Sequence, residues 1–296
     1  MPFAEANGIK ICYDVMGPED GRPLLLIMGL TTQLVAWPEG FCRQLVDLGH
    51  RVIRFDNRDC GLSSKMETMG VPDIMAMAAE FASGTAVTSP YTLSDMAADT
   101  LGLAEAQGLD RFHVCGLSMG GMIAQIMAVE YPARVLSLTS MESTTGEHDL
   151  PPSTPEAAAA VASLAPTKRD RYIAHMGTIY RAFAGGSEAL DEDLQAELSA
   201  AAYDRAFYPM GFPRQMAAIL AAPGRRRALG AVTCPTLVIH GTHDALVPPA
   251  HGEDTARSIP GAELLMVEDL GHGMAYPGLW TTMTARIAEL TRAAGV

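Results

Sequence analysis

The stretch HVCGLSMGGMIAQ, His113 to Gln125, decides how this chain is read. An apolar run, Phe112 to Cys115, leads into it, and a second, Met122 to Val129, follows. Between them Gly116-Leu117-Ser118-Met119-Gly120 sets a hydroxyl between two glycines, with Gly121 next. An ordinary surface turn has no use for that arrangement. A strand that turns sharply into a helix does: the glycines allow close backbone approach, and the serine is held out at the strand's carboxyl end, facing the positive pole of the helix. Gly-x-Ser-x-Gly at a strand–helix junction is a nucleophile elbow, and Ser118 is its candidate nucleophile.

Working outward, short β-rich runs alternate with helical patterns. Pro23 to Met28, Arg51 to Phe55, Phe112 to Cys115, Val135 to Ser140, Pro235 to His240 and Ala262 to Val267 are near-continuous apolar runs, as expected of parallel strands covered on both faces. Ile9 to Val15 adds an edge strand, in an antiparallel hairpin. Thr92 to Asp95 is a capping box for a helix reaching about Ala106, Met122 to Glu130 is helical, and Leu279 to Ala293 closes the chain. Repeated strand–helix–strand order predicts an α/β fold with a doubly wound, mostly parallel sheet. The rhythm breaks over 146–227, where helical patterns (Thr154 to Leu164, Lys168 to Phe183, Asp191 to Asp204, Tyr208 to Leu220) follow one another with no strand between. Residues 1–145 and 228–296 then form the core, and 146–227 an inserted helical lid. Met66, Met69, Met75 and Met77 crowd Lys65 to Pro90, where a short helix, Pro72 to Phe81, is expected to fold over the pocket and suit apolar groups of loose shape.

A nucleophilic serine needs a base, and the base needs an orienting acid, in the chain order Ser, Asp or Glu, His. His272 sits between glycines in Asp269-Leu-Gly-His-Gly-Met274, just past the last predicted strand. His50, His113, His148, His175 and His251 fall before or within strands or on surface and lid helices, and read as structural or solvated. Asp244, in the loop after Pro235 to His240, is the preferred acid on chain order. Glu142, after Val135 to Ser140, is its rival. The oxyanion formed on attack needs two preset donors. The backbone N–H of Met119, next to the nucleophile, supplies one. The turn Met28-Gly-Leu-Thr-Thr32 supplies the other, through the N–H of Leu30. His240, His243 and Asp244 lie close in sequence, but no second cluster completes a metal shell, so no metal is expected.

Composition removes other function classes. The chain has 296 residues and a net charge of −13, which argues against nucleic acid and against an anionic membrane surface. No apolar run approaches the roughly 20 residues of a membrane span. Five scattered cysteines without a CxxC pair, and a beginning without a basic-then-apolar pattern, predict a cytoplasmic protein with reduced thiols.

The chain resembles the α/β-hydrolase fold serine hydrolases over nearly its whole length. The resemblance rests on the Met-Gly-Leu turn, on Asp56-Asn-Arg-Asp-Cys-Gly-Leu-Ser63, on the elbow, on Gly241-Thr-His-Asp-Ala-Leu-Val-Pro248 and on Gly271-His-Gly-Met274. Met28 stands where members often carry His, and Asp59 where they often carry Gly. Both departures are similar to bacterial carboxylesterases near aclacinomycin methylesterase. The resemblance implies an eight-stranded sheet, a lid after the sixth strand, Ser118, Asp244 and His272 as catalytic residues, and no cofactor. It implies a carboxylesterase that hydrolyses small-molecule esters through an acyl-enzyme, as a monomer or homodimer. Ser118 in place of the Asp of related dehalogenases and epoxide hydrolases argues against both. Two alternatives remain: a hydrolase-fold protein that binds a small ligand and turns it over slowly, and a cofactor-free perhydrolase or lactonase, since related haloperoxidases share the elbow.

Overall fold

In a computed structural model, which describes residues 1–295, the strands are β1 (Phe3–Ala6), β2 (Ile9–Met16), β3 (Arg22–Ile27), β4 (His50–Phe55), β5 (Phe112–Leu117), β6 (Val135–Met141), β7 (Thr236–Gly241) and β8 (Glu263–Val267). They form one sheet in the order β1-β2-β4-β3-β5-β6-β7-β8. β1–β2 and β2–β4 pair antiparallel, and every other pair is parallel. The chain leaves β3 for β4 on one side and later crosses to β5 on the other. That reversal is a topological switch point, and crevices in open α/β sheets form at the carboxyl ends of the strands that flank it.

The helices are α1 (Glu39–Asp47), α2 (Ile74–Ala82), α3 (Leu93–Ala106), α4 (Met119–Glu130), α5 (Pro155–Ala162), α6 (Arg169–Phe183), α7 (Glu192–Arg205), α8 (Gly211–Leu220), α9 (Arg226–Leu229), α10 (Pro249–Ser258) and α11 (Trp280–Ala294). Local chemistry sets several starts. At α3 the Thr92 Oγ1 accepts the Asp95 N–H while Asp95 accepts the Thr92 N–H at 2.7 Å, a complete capping box. Thr154 and Asp191 cap α5 and α7 more simply, each side chain accepting the N–H three residues on. Both sheet faces are covered. Leu25, Ile27, Ile53, Phe55 and Val114 pack with α3 and α4 on one side. Leu24, Leu26, Val52 and Cys115 pack with α1 and α11, through Phe41, Trp37 and Trp280, on the other. This alternation on successive residues explains why the strands are apolar throughout.

Helices α5–α9 all lie between β6 and β7. α9 packs on α4 and α10 of the core. The short helix expected over Pro72 to Phe81 runs Ile74–Ala82, capped by Asp73. The hairpin partner expected beside Ile9–Met16 is the strand Phe3–Ala6, which takes the sheet edge and leaves β2 inside it; only four residues long with every second side chain exposed, it shows no run of its own in the sequence. Among the described residues no helix is long and apolar enough to cross a membrane.

Candidate active site

Parallel register brings the carboxyl ends of β3, β5, β6, β7 and β8 side by side, for Leu117 is level with Met141 and Gly241 with Val267. Among the described residues six non-glycine residues have positive φ; five follow the carboxyl ends of parallel strands, Thr31 after β3, Asp59 after β4, Ser118 after β5, Glu142 after β6 and Asp269 after β8, and the sixth, Asn7, lies in the turn between β1 and β2. Such backbone persists only where its surroundings hold it, and it collects at functional edges.

Ser118 has φ 59° and ψ −121° and is half-buried. The glycines around it have no room for a side chain. A Cβ on Gly116 would lie 2.0 Å from the Gly120 carbonyl oxygen, and one on Gly120 would lie 2.0 Å from that of Ile27. The Ser118 N–H donates to the Met141 carbonyl at 2.9 Å, and Ser143 Oγ donates to the Ser118 carbonyl at 2.7 Å. The turn after β3 faces the serine, since a Cβ on Gly29 would be 3.2 Å from Ser118 Cβ and 3.7 Å from Oγ. Leu30 therefore follows a residue in contact with Ser118, and Met119 begins α4, where a first-turn N–H has no acceptor within its own helix.

His272 and Asp244 are joined: Nδ1 lies 2.8 Å from Asp244 Oδ2. The other Asp244 oxygen accepts the N–H groups of Leu246, at 3.0 Å, and Val247, at 2.7 Å, so the carboxylate is fixed by its own loop. Glu142 Oε2 is 3.8 Å from the same Nδ1 and accepts the Gly273 N–H at 2.6 Å, while its Oε1, fully buried, has no partner among the described residues. Among the described residues Ser118 Oγ makes no hydrogen bond to His272. Such contacts are commonly long in a free site and tighten with substrate. The insertion reaches this loop. The Phe183 carbonyl accepts the N–H of His272 at 3.3 Å, and the Phe183 ring stands edge-on to the imidazole, 5.9 Å between centroids.

Burial by itself would lower the His272 pKa, but the charge and hydrogen bond of Asp244, with Glu142 behind, outweigh it and the net shift is upward. Burial drives Glu142 well above the usual carboxylate range, against the pull of His272 and helped by the like charge of Asp244. Ligand atoms of Glu142, Asp244 and His272 all lie within 4.8 Å of one another. A metal bound through His272 Nδ1 would displace the hydrogen bond that joins His272 to Asp244. His240, next to last in β7, is buried and bonded through Nε2 to the Val247 carbonyl at 2.7 Å.

The motif Asp56 to Ser63 does more than the sequence suggested. Asp56 is buried and pairs with Arg205 of α7 at 2.7 Å. Asp59 takes Arg214 of α8 through two bonds, 2.7 and 2.8 Å, in a pair exposed by 1% or less. Neither arginine was singled out beforehand. The signal available was Asp59 itself, an acid where related chains place glycine at a left-handed position.

A family model described as alpha/beta hydrolase fold matches residues 22–278, and the chain belongs to that family. The rhodomycin D methylesterase DnrP of Streptomyces peucetius is 30% identical to it over 310 residues, covering 97% of each chain. Among solved structures, the meta-cleavage product hydrolase CumD of Pseudomonas fluorescens superposes with a TM-score of 0.75 at 21% identity, covering 100% of this chain and 98% of that one. The enol-lactonase of Burkholderia xenovorans gives 0.72 at 21% identity, covering 98% and 100%. At that identity these two speak for the fold alone.

Proposed function

We propose that this chain is a serine-dependent carboxylic ester hydrolase, acting on small to medium apolar acyl or alkyl esters, methyl esters included. The observation that carries the reading is Ser118 in left-handed backbone at the β5–α4 junction, with the His272–Asp244 pair, 2.8 Å apart, on the loops after β7 and β8. The kinship with a methylesterase, matched end to end, favours an ester over an amide.

In this mechanism Ser118 Oγ forms a bond to the ester carbonyl carbon while His272 Nε2 takes its proton. The carbonyl oxygen becomes an oxyanion held by the N–H groups of Leu30 and Met119. Asp244 keeps the proton on Nδ1, so that Nε2 is free to accept, and stabilises the imidazolium. The carbon–alkoxy bond then breaks, and His272 returns the proton to the leaving alcohol. Water, deprotonated by His272, attacks the acyl-enzyme, releases the acid and restores Ser118. No cofactor takes part in these steps. Residues 146–227 act as a lid: α6 touches the His272 loop through Phe183, and α8 reaches the turn beside Ser118 through Gln215.

Ser118→Ala should fold as the parent does and lose about 10⁴-fold or more in turnover of an activated ester. A phosphonate should label Ser118 in the parent stoichiometrically. An active Ala variant, or labelling elsewhere, would overturn the serine route, and a parent that binds esters without measurable turnover would mark a binding protein instead.

A further inference from the structure

Helix α8 does not merely cross the site. It is fastened to the two turns that frame the crevice. Gly211, at its start, lies against Asp59 so closely that a Cβ would come within 2.0 Å of the Asp59 carbonyl oxygen. One turn on, Arg214 clamps the Asp59 carboxylate and donates to the Gly70 carbonyl at 3.0 Å. The next residue, Gln215, is fully buried and spends both ends of its amide on the core. Its Oε1 accepts the Thr31 N–H at 2.6 Å, and its Nε2 donates to the Arg58 carbonyl at 2.7 Å. An acceptor at one end and a donor at the other leave a single orientation for the side chain.

Thr31 is the residue after Leu30, and it sits at φ 50°, a conformation that a threonine adopts only under constraint. The Thr32 N–H closes the turn on the Gly29 carbonyl at 3.2 Å. The Gln215 bond to Thr31 pins the middle of that turn from outside. An oxyanion donor works by being fixed before charge develops, and a small displacement is costly. Thr32 Oγ1 donates to the Leu30 carbonyl and Asn57 Nδ2 to the Met28 carbonyl, both at 2.9 Å, so the turn is tied on the core side as well, and Gln215 supplies the tie from α8.

We propose that Gln215 is a positioning residue of the oxyanion site: from the inserted helix α8 it fixes the Met28–Thr32 turn, and through it the N–H of Leu30, against Ser118. The insertion then contributes to the chemical step as well as to covering the crevice. The inference rests on the hydrolytic reading above.

The test compares Gln215→Met, which keeps length and bulk but loses both the acceptor for Thr31 and the donor to the Arg58 carbonyl, with Gln215→Glu, whose protonated form, favoured by full burial, keeps both. Turnover of a simple ester and inhibition by a trifluoromethyl ketone, whose adduct with a serine carries an oxyanion, are measured for each. Gln215→Met should lower kcat on the order of 10- to 100-fold with KM changed about twofold or less, and should weaken the ketone by a factor similar to the loss in kcat/KM. Gln215→Glu should recover most of both. A kcat within about twofold of the parent in Gln215→Met, or a loss confined to KM or thermal stability with ketone affinity intact, overturns the proposal. If Gln215→Met does not fold, Gln215→Asn, which withdraws the amide by one methylene, is read by the same criteria. Ser118→Ala separates the two levels: an active Ala variant removes the hydrolytic reading itself, whereas an inactive one beside an unimpaired Gln215→Met removes only the role of Gln215.

Discussion

Two carboxylates compete for one imidazole nitrogen, and 1 Å decides between them. Asp244 is 2.8 Å from His272 Nδ1 and Glu142 is 3.8 Å away, with its near oxygen committed to the Gly273 N–H. Asp244→Asn keeps the shape but admits the wrong tautomer, so turnover should fall about 10⁴-fold. Glu142 is pushed toward its protonated form by burial, and Gln is the neutral isostere of a protonated Glu, so Glu142→Gln should keep activity within about tenfold of the parent. The reverse ranking in steady-state assays would make Glu142 the acid. At this scale much was legible. A serine between glycines and a histidine between glycines are short-range patterns with a steric cause. The choice between Asp244 and Glu142 was legible only through chain order, because both follow strands in neighbouring positions and the fold of the Gly241–Pro248 loop sets which oxygen meets the ring.

At the scale of elements, the inner strands β3 to β7 were readable because each is buried on both faces, whereas β1 is short and half-exposed and gave no such run. The joints between insertion and core were not readable. Asp59–Arg214 spans 155 residues of sequence, and nothing local to either residue points to the other. That pair is almost wholly buried, so removing one partner strands a charge. Asp59→Asn and Arg214→Gln should each destabilise the protein by about 3–5 kcal/mol in urea unfolding. The double variant should lose clearly less than the sum of the two, since neither charge is then left alone. Additive losses would mean that Arg214 is held chiefly by Tyr208 and the Gly70 carbonyl, which it also contacts.

The whole molecule carries 34 acidic and 21 basic residues, so acidification toward its pI of about 5.0 relieves charge repulsion. His272 and Glu142 push in the same direction. Both have folded pKa values raised above their ordinary ones, and groups of that kind lose their stabilising contribution as pH rises. Two buried histidines in the strands β4 and β5 oppose them. His50 is lowered to about 4, first by burial, and bonds the Leu45 carbonyl and Thr291 Oγ1, both at 2.8 Å. His113 is lowered to about 3, again chiefly by burial, and bonds Ser137 Oγ at 2.8 Å. A depressed histidine contributes fully above its unfolded value near 6.5, and the contribution drains away as pH falls toward the folded value. By pH 5 each should have withdrawn on the order of 2 kcal/mol. The same enzyme should therefore be least active on the acid side for one reason, protonation of His272, and lose acid stability for another, at sites far along the strands from Ser118. Urea midpoints at pH 7 and pH 5 separate the two effects. His50→Gln, which cannot take up the proton, should shrink the drop between those pH values by about 2 kcal/mol, whatever it does to stability at pH 7, and should leave the pH profile of turnover where it was. An unchanged drop would mean that His50 is not held neutral by its burial, and that acid sensitivity arises elsewhere in the core.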